Sequence, residues 1–239
     1  MEDRITSLQN SWVKRVVSLH EKKERDKEGL IILEGKKLIE GAREAGIEII
    51  KIFSTHASNG ITLVDDKVIK KMSTTTTPTD VIAIAKKPEC ELKNYKKMIL
   101  LDSIQDAGNL GTIIRTACAF DIDAILLYGN CTDEFSPKVL RASVGCAFKI
   151  PVIRINENKI NELAKKYNLI STVVNSKNKI QDIDFKSPFI LMFGSEATGL
   201  SNKLKCIQNY DFTLPMKKSV ESLNLAISAG ICLWEISKR

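Results

Sequence analysis

From residue 98 onward, short apolar runs alternate with segments whose apolar residues recur at helical spacing. The runs span residues 98–101, 124–128, 149–155, 170–174, 189–193 and 212–216, and helices are expected near 110–120, 137–143, 160–167, after Ser201 and at 223–237. Each run is short and apolar, as is typical of strands buried on both faces of a parallel sheet. The alternation therefore predicts an α/β fold.

The first part of the chain predicts a second, smaller α/β unit. A helical pattern around Trp12 and Val16 is followed by apolar runs at 30–33, 47–53, 61–64 and 81–85, with helices expected at 36–45 and near 67–72. Residues 86–97 are rich in lysine and contain Pro88, which is typical of a linker. We therefore predict two domains, residues 1–92 and 93–239.

The net charge of +7 and the isoelectric point near 9.0 make a polyanionic partner plausible. Cations crowd the first 27 residues, where Lys14, Arg15 and Arg25 are the candidates for binding such a partner. A solvated helix face is the alternative explanation for the same residues.

Several other classes of site are poorly supported. The six cysteines include no CxxC pair, so neither a disulfide framework nor a zinc site is indicated, and we expect no metal. With two histidines in the chain, a histidine-based triad is also poorly supported. No apolar run approaches the roughly 20 residues of a membrane span, and the N-terminus lacks the apolar region of a signal peptide. The simplest expectation is a cytoplasmic protein without a membrane partner.

Three separated segments of the C-terminal half predict a single ligand site. Residues 101–117 (LDSIQDAGNLGTIIRTA), 191–201 (LMFGSEATGLS) and 214–224 (LPMKKSVESLN) each lie where an apolar run gives way to a loop or helix. Parallel sheets bind their ligands at such strand ends. No GxGxxG follows a strand, and the sequence GSEATG lacks the Lys-Ser/Thr of a P-loop, so classical dinucleotide and NTP sites are disfavoured.

At these three motifs, which occur in order, the chain resembles the SpoU-class (TrmH-like) RNA ribose 2′-O-methyltransferases of the SPOUT superfamily. The resemblance implies a homodimer and a deep trefoil knot that builds a pocket for S-adenosylmethionine. The N-terminal residues 5–35 resemble the family's ribosomal-protein-like (L30e-like) substrate-binding domain. Two positions depart from the family pattern, because Ala107 stands where proline is frequent and Lys218 where glycine is frequent.

The resemblance also implies roles for individual residues. It makes Arg115 the principal catalytic residue, supported by Asn109, and places Glu196, Ser222 and Asn224 in the active site. For the cofactor it implies contacts from Gly194, Gly199, Leu214, Met216 and Leu223. Because a guanidinium does not deprotonate in proteins, we expect Arg115 to bind the target phosphate and stabilise the developing alkoxide, while the proton leaves through another group or water. The carboxylate of Glu196 would be costly if it were buried unpaired, and a partner such as Arg115 would resolve that cost.

Residues 134–145 also resemble the family, and Lys138 and Arg141 are expected to share a helix face and contact RNA phosphates. Ribosomal RNA is the favoured substrate by resemblance. A transfer RNA methyltransferase, and an RNA-binding or assembly protein that keeps the fold without catalysis, remain the alternatives, with an enzyme that acts on no RNA as a more distant one.

Overall fold

The computed structural model describes residues 4–185, 188–217 and 219–239. Contacts within the chain define two compact units. The first combines the chain up to Glu89 with Asp133–Phe148, and the second combines Cys90–Thr132 with Lys149–Arg239. The break at Glu89 lies close to the predicted boundary after residue 92. A single boundary does not describe the units, however, because Asp133–Phe148 packs with the N-terminal unit.

The first unit is built on a four-stranded mixed sheet. Its elements are α1 (Ser11–Ser18), α2 (Lys22–Glu28), β1 (Leu30–Glu34), α3 (Lys36–Glu44), β2 (Ile49–Ser54), β3 (Thr62–Leu63), α4 (Asp66–Met72), β4 (Val81–Lys86) and, from the later segment, α6 (Pro137–Ser143). The strand order is β1-β4-β2-β3, with β4 antiparallel to both of its neighbours and β3 parallel to β2. Apolar residues of α1, α4 and the sheet form its core.

The second unit is a six-stranded parallel sheet with helices. Its elements are β5 (Lys97–Asp102), α5 (Ala107–Ala119), β6 (Ala124–Tyr128), β7 (Val152–Arg154), α7 (Glu157–Leu163), β8 (Asn168–Thr172), β9 (Phe189–Phe193), α8 (Asn202–Ile207), β10 (Tyr210–Phe212) and α9 (Leu225–Ser237). The strand order is β10-β8-β9-β5-β6-β7, and every pairing is parallel. The α/β class with a parallel sheet, predicted from the apolar runs, is confirmed.

The centre of this sheet is formed by β5 and β9, and nearly all of their residues are buried. Burial on both faces explains why these strands are apolar throughout rather than alternating. Since all strands run in one direction, the segments that follow β5, β8, β9 and β10 emerge at the same edge of the sheet. That edge holds the three motifs.

Some element boundaries differ from those predicted. Helix α5 begins at Ala107, three residues before the predicted start, because Asp106 caps it. Helix α9 begins at Leu225 rather than at residue 223, because the side chain of Asn224 accepts hydrogen bonds from the first turn. Apolar periodicity finds the body of a helix, whereas its first residue is set by the capping side chain.

Candidate active site

The first turn of α5 positions Asn109. The carboxylate of Asp106, the N-cap residue, accepts a hydrogen bond from the backbone nitrogen of Asn109 at 2.7 Å. This contact satisfies one of the backbone N–H groups that have no partner at a helix start. It also fixes the backbone from which the Asn109 side chain extends toward the other motifs.

The Asn109 side chain joins residues from all three motifs. Its Nδ2 donates to Oε1 of Glu196, and its Oδ1 accepts from Nδ2 of Asn224 at 3.0 Å. The Oδ1 of Asn224 in turn accepts from the backbone nitrogens of Ala226 and Ile227, at 2.9 and 3.2 Å. Asn224 is therefore both the cap of α9 and a member of the cluster. The structure brings together Asn109, Glu196 and Asn224, which are far apart in the sequence.

Glu196 does not pair with Arg115, the partner suggested for a buried carboxylate. Glu196 is exposed rather than buried, and the amide of Asn109 is its partner. Arg115 follows Asn109 by six residues on the same helix, which places it about 9 Å further along the axis and about 120° away around it. The two side chains therefore extend in different directions from α5, and the expected pair does not form.

Arg115 is exposed, and within the described part of the chain its guanidinium has no hydrogen-bond or ion-pair partner. Neighbouring positions of α5 such as Ile113 and Ile114 face the core. Arg115 thus presents a planar cation with five N–H donors to whatever lies outside this face of the helix. Such a group suits bidentate binding of a phosphate.

The loop after β9, residues 194–201, is compact and glycine-dependent. A Cβ placed on Gly194 would overlap the backbone of Gly199 and Leu200. The amide of Gly199 donates to the carbonyl of Ser195 at 2.9 Å, and Gly199 has a φ of 66°, in the left-handed region that favours glycine. We call residues 194–201 the glycine loop.

The residues predicted to contact a cofactor line one cavity of about 210 Å³ beside the glycine loop. They are Gly194, Gly199, Leu214, Met216 and Leu223, and the predicted active-site residues Glu196 and Ser222 line it too. A second cavity of about 520 Å³ shares Leu214 and Met216 with the first. Asn109, Arg115 and Asn224 are not among the lining residues of either. Lys218 lies outside the described residues.

The RNA-contact prediction is wrong for Arg25. Arg25 is only 3% exposed. Its Nε and Nη2 donate to Oδ2 of Asp133 at 3.0 and 2.5 Å, and its Nη1 donates to the carbonyls of Leu19 and His20. All three guanidinium nitrogens are thus engaged inside the first unit. Arg25 has a structural role and is not available to a phosphate.

Arg141 also forms an ion pair within the first unit. Its Nη1 donates to Oε1 of Glu34 at 3.0 Å and to Oγ1 of Thr74 at 2.7 Å, and the Glu34 carboxylate is buried. The predicted helix α6 forms, and Lys138 on it is exposed. Arg141 is half-buried and uses one guanidinium nitrogen for this pair, so its contact with RNA stays a prediction.

The remaining predicted RNA contacts lie on α1. Lys14 is exposed, whereas Arg15 is half-buried, pairs with Glu28 at 2.7 Å and lies over the ring of Trp12. The packing of Arg15 leaves Lys14 as the more accessible cation of the two. Their role in RNA binding stays a prediction.

The described residues contain neither a cluster of metal-ligating side chains nor a helix that could span a membrane. No group of three or more His, Cys, Asp or Glu side chains there could hold a metal ion. None of the described helices is long and apolar enough to cross a membrane.

Comparison with known proteins identifies relatives over nearly the whole chain. Residues 96–234 match the model of the SpoU rRNA Methylase family, and residues 10–83 match that of the MRM3-like substrate binding domain. The chain is 32% identical to the 23S rRNA (guanosine(2553)-2′-O)-methyltransferase RlmP of Bacillus subtilis, with 98% of each chain covered. Two crystal structures of an rRNA methyltransferase from Sinorhizobium meliloti, one of them bound to AdoMet, have 31% identity and a TM-score of 0.89 over 99% of this chain and 97% of theirs.

Proposed function

Because the chain belongs to the SpoU rRNA methylase family, we infer that it transfers a methyl group from S-adenosylmethionine to a ribose 2′-hydroxyl of ribosomal RNA. The observation that carries this proposal is the meeting of Asn109, Glu196 and Asn224 beside the cavity of the glycine loop. The Bacillus subtilis relative is named for the same reaction on 23S rRNA. We also propose a cytoplasmic location, which is supported by the bacterial relative that acts on 23S rRNA.

The residues around the cavity suit S-adenosylmethionine. Gly194 leaves backbone surface where any side chain would collide with the loop, and Leu214, Met216 and Leu223 give the cavity apolar walls for an adenine ring. When bound, this cofactor supplies an electrophilic methyl group on a sulfonium. The glycine loop and residues 214–223 would hold it, and the side chains of Glu196 and Ser222 would border it.

Arg115 is the proposed catalytic residue. Its exposed guanidinium would bind the phosphate next to the target ribose and stabilise the alkoxide that develops on the 2′-oxygen. Asn109 would keep Glu196 and Asn224 in fixed positions through its amide, which supplies a donor to one and an acceptor to the other. The proton of the hydroxyl would leave through another group or water.

We propose the first unit, which contains most of the predicted residues 1–92, as the substrate-binding domain, and the second unit, which contains most of residues 93–239, as the methyltransferase domain. The match of residues 10–83 to a substrate binding domain supports this division of roles. Its mixed sheet with flanking helices is compatible with the L30e-like fold implied by resemblance. Lys14 and Lys138, both exposed, are the cations that we retain as RNA contacts.

We propose the trefoil knot for the C-terminal domain on the same basis. Three chain segments, within residues 172–174, 193–200 and 214–228, line the one cavity beside the glycine loop. A knotted path is a way to hold such distant segments together around a ligand.

A homodimer is supported by the exposed side of α9. Ile227, Ile231 and Trp234 recur at spacings of four and three residues, so they share one face, and they are 56%, 41% and 53% exposed. The opposite face of α9 is buried in the second unit. A second copy of this chain would cover the apolar stripe, which is costly to leave in water.

The dimer has a direct test. We expect Trp234→Glu to convert the protein to a monomer in sedimentation equilibrium, because it places a charge in the proposed interface. Tyr210→Glu, at a 49% exposed aromatic of the edge strand β10, is the matched control and should leave the mass unchanged. A dimeric Trp234→Glu protein would remove this stripe from the interface.

The activity is tested by methyl transfer from labelled S-adenosylmethionine to separate ribosomal and transfer RNA pools that lack the modification. Ribose-methylated ribosomal RNA is expected with the wild-type protein and a loss of at least a hundredfold with Arg115→Ala. Thr112→Ala, at an exposed position one turn earlier on α5, controls for local disturbance of the helix. Arg115→Lys should remain strongly impaired, since an ammonium cannot bind phosphate through a planar fork.

The other outcomes separate the alternatives. Methylation of the transfer RNA pool alone would favour a transfer RNA enzyme. A folded protein that binds RNA but not S-adenosylmethionine in calorimetry would favour the RNA-binding or assembly protein without catalysis.

A further inference from the structure

Asp102 is a buried carboxylate that the proposed chemistry does not use. It is the last residue of β5 and is 3% exposed. Among residues 4–185, 188–217 and 219–239, no cation pairs with it. Burying a carboxylate without a cation is costly, so hydrogen bonds must stabilise it where it lies.

Its two oxygens accept from different partners. Oδ2 accepts from the backbone nitrogen of Ser201 at 2.7 Å, and Oδ1 accepts from Oγ of Ser103 at 3.0 Å. Gly129 keeps this space open, because a Cβ there would lie 3.2 Å from Asp102 Oδ1 and would collide with the Ser103 hydroxyl. Ser103 itself has a φ of 59°, a conformation that L side chains rarely adopt. The local backbone is thus arranged around the carboxylate.

Ser201 is the last residue of the glycine loop. The loop folds back on itself between Ser195 and Gly199, and the next residue, Leu200, is buried in the core of the second unit. The hydrogen bond from Ser201 to Asp102 then attaches the end of the loop to the central strand of the sheet. A bond from a backbone N–H to a carboxylate is among the stronger hydrogen bonds in proteins.

We propose that Asp102 is a positioning residue, whose carboxylate holds Ser201 and thereby keeps the glycine loop in the conformation that binds the cofactor. The proposal rests on the proposed function, because it assigns S-adenosylmethionine to this loop. Asp102 does not line the cavity and acts through the backbone of residues 194–201. Asn109 holds the middle of the same loop through Glu196, so the loop is attached to the β5–α5 segment at two points.

The test is the affinity for S-adenosylmethionine, measured by calorimetry on the full-length protein. Asp102→Ala should raise Kd about tenfold, because a lost hydrogen bond to a charged group lets the loop leave its binding conformation. Asp102→Asn retains an oxygen that can accept from Ser201, so it should recover most of the lost affinity. In methyl transfer, KM for S-adenosylmethionine should rise with Asp102→Ala while KM for RNA stays unchanged.

A control variant separates positioning from loss of stability. Leu126→Ala leaves a cavity in β6, at a fully buried position, and should lower the melting temperature without changing Kd. A wild-type Kd in Asp102→Ala, or an equal rise of Kd in Leu126→Ala, would overturn the proposal.

Hydrogen exchange of the Ser201 amide keeps the inference testable without any cofactor. Asp102→Ala should accelerate this exchange at least tenfold in the free protein, whereas Leu126→Ala should not. If the wild-type protein failed to bind S-adenosylmethionine, the proposed function would be refuted. The exchange data would still show whether the hydrogen bond from Ser201 to Asp102 holds the loop. An unchanged exchange rate of the Ser201 amide in Asp102→Ala would refute the positioning role of Asp102.

Discussion

The buried ion pair of Arg25 and Asp133 predicts that the Arg25→Ala substitution lowers the stability of the fold without changing how RNA binding depends on salt. Their side chains are 4% and 8% exposed, and the second Asp133 oxygen accepts from the backbone nitrogen of Phe135 at 3.1 Å. Arg25→Ala would leave the carboxylate buried without its cation. Breaking such a pair from one side costs about 3 to 5 kcal/mol, which corresponds to a fall in melting temperature of about 6 to 20 °C for a chain of this length.

Scanning calorimetry and urea unfolding measure this loss, and the salt dependence of RNA binding measures the second effect. Arg25→Ala should leave the slope of log Kd against log salt concentration unchanged at a temperature where the variant is folded, because Arg25 contacts no phosphate. Lys14→Ala should behave in the opposite way, with unchanged stability and a slope reduced by about one ion if Lys14 contacts a phosphate.

Replacing both residues of the ion pair tests whether the loss of stability comes from the unpaired carboxylate. Arg25→Met combined with Asp133→Leu removes both charges and should recover most of the stability, because well-packed apolar side chains can replace a buried ion pair at little cost. If Arg25→Ala proved as stable as Lys14→Ala, or changed the salt slope as Lys14→Ala does, the structural role of Arg25 would be refuted.

Two further predictions concern ionisable groups. Hydrogen bonds from Lys22 and Lys87 lower the pKa of Asp26 from its ordinary value of 3.8 to about 2, so this carboxylate stabilises the fold above pH 3.8 and its contribution is lost as the pH falls through 2. Asp26→Asn should therefore lower the urea midpoint at pH 6 and have a much smaller effect at pH 2. Burial raises the pKa of the Cys232 thiol to about 12, so iodoacetamide at pH 8 should label Cys232 only in unfolded protein while the exposed Cys206 reacts in the native state, as peptide mass spectrometry would show.

The parallel sheet could be predicted because burial on both faces requires uninterrupted apolar strands, a signal that is local in the sequence. Asn109, Glu196 and Asn224 could be selected because the resemblance to the SpoU-class methyltransferases implies roles for them. That their motifs form one site could be predicted because each motif lies at a strand end, where a parallel sheet gathers its loops. The hydrogen bonds among them could not be predicted, because they depend on the side-chain directions that the caps of α5 and α9 set.

The burial of Arg25 could not be predicted from the sequence either, but for a different reason. It lies in a run of charged residues that has the pattern of a solvated helix, and its partner Asp133 is 108 residues away in the chain. Nothing near Arg25 in the sequence distinguishes it from its exposed neighbours. The same holds for Arg141 and Glu34, 107 residues apart, and for the packing of Asp133–Phe148 in the first unit. Contacts of this length leave no local periodicity.

The partner found for Glu196 also bears on what Arg115 can do. An ion pair between these two residues would have satisfied the carboxylate, but it would also have neutralised the cation and occupied its donors. Because the neutral amide of Asn109 holds Glu196 instead, Arg115 keeps its full charge at the surface of α5. A polyanionic substrate requires such a cation, and desolvating an existing ion pair to obtain it would cost binding energy. The arrangement therefore separates Asn109, which joins the motifs, from Arg115, which we propose to bind the phosphate.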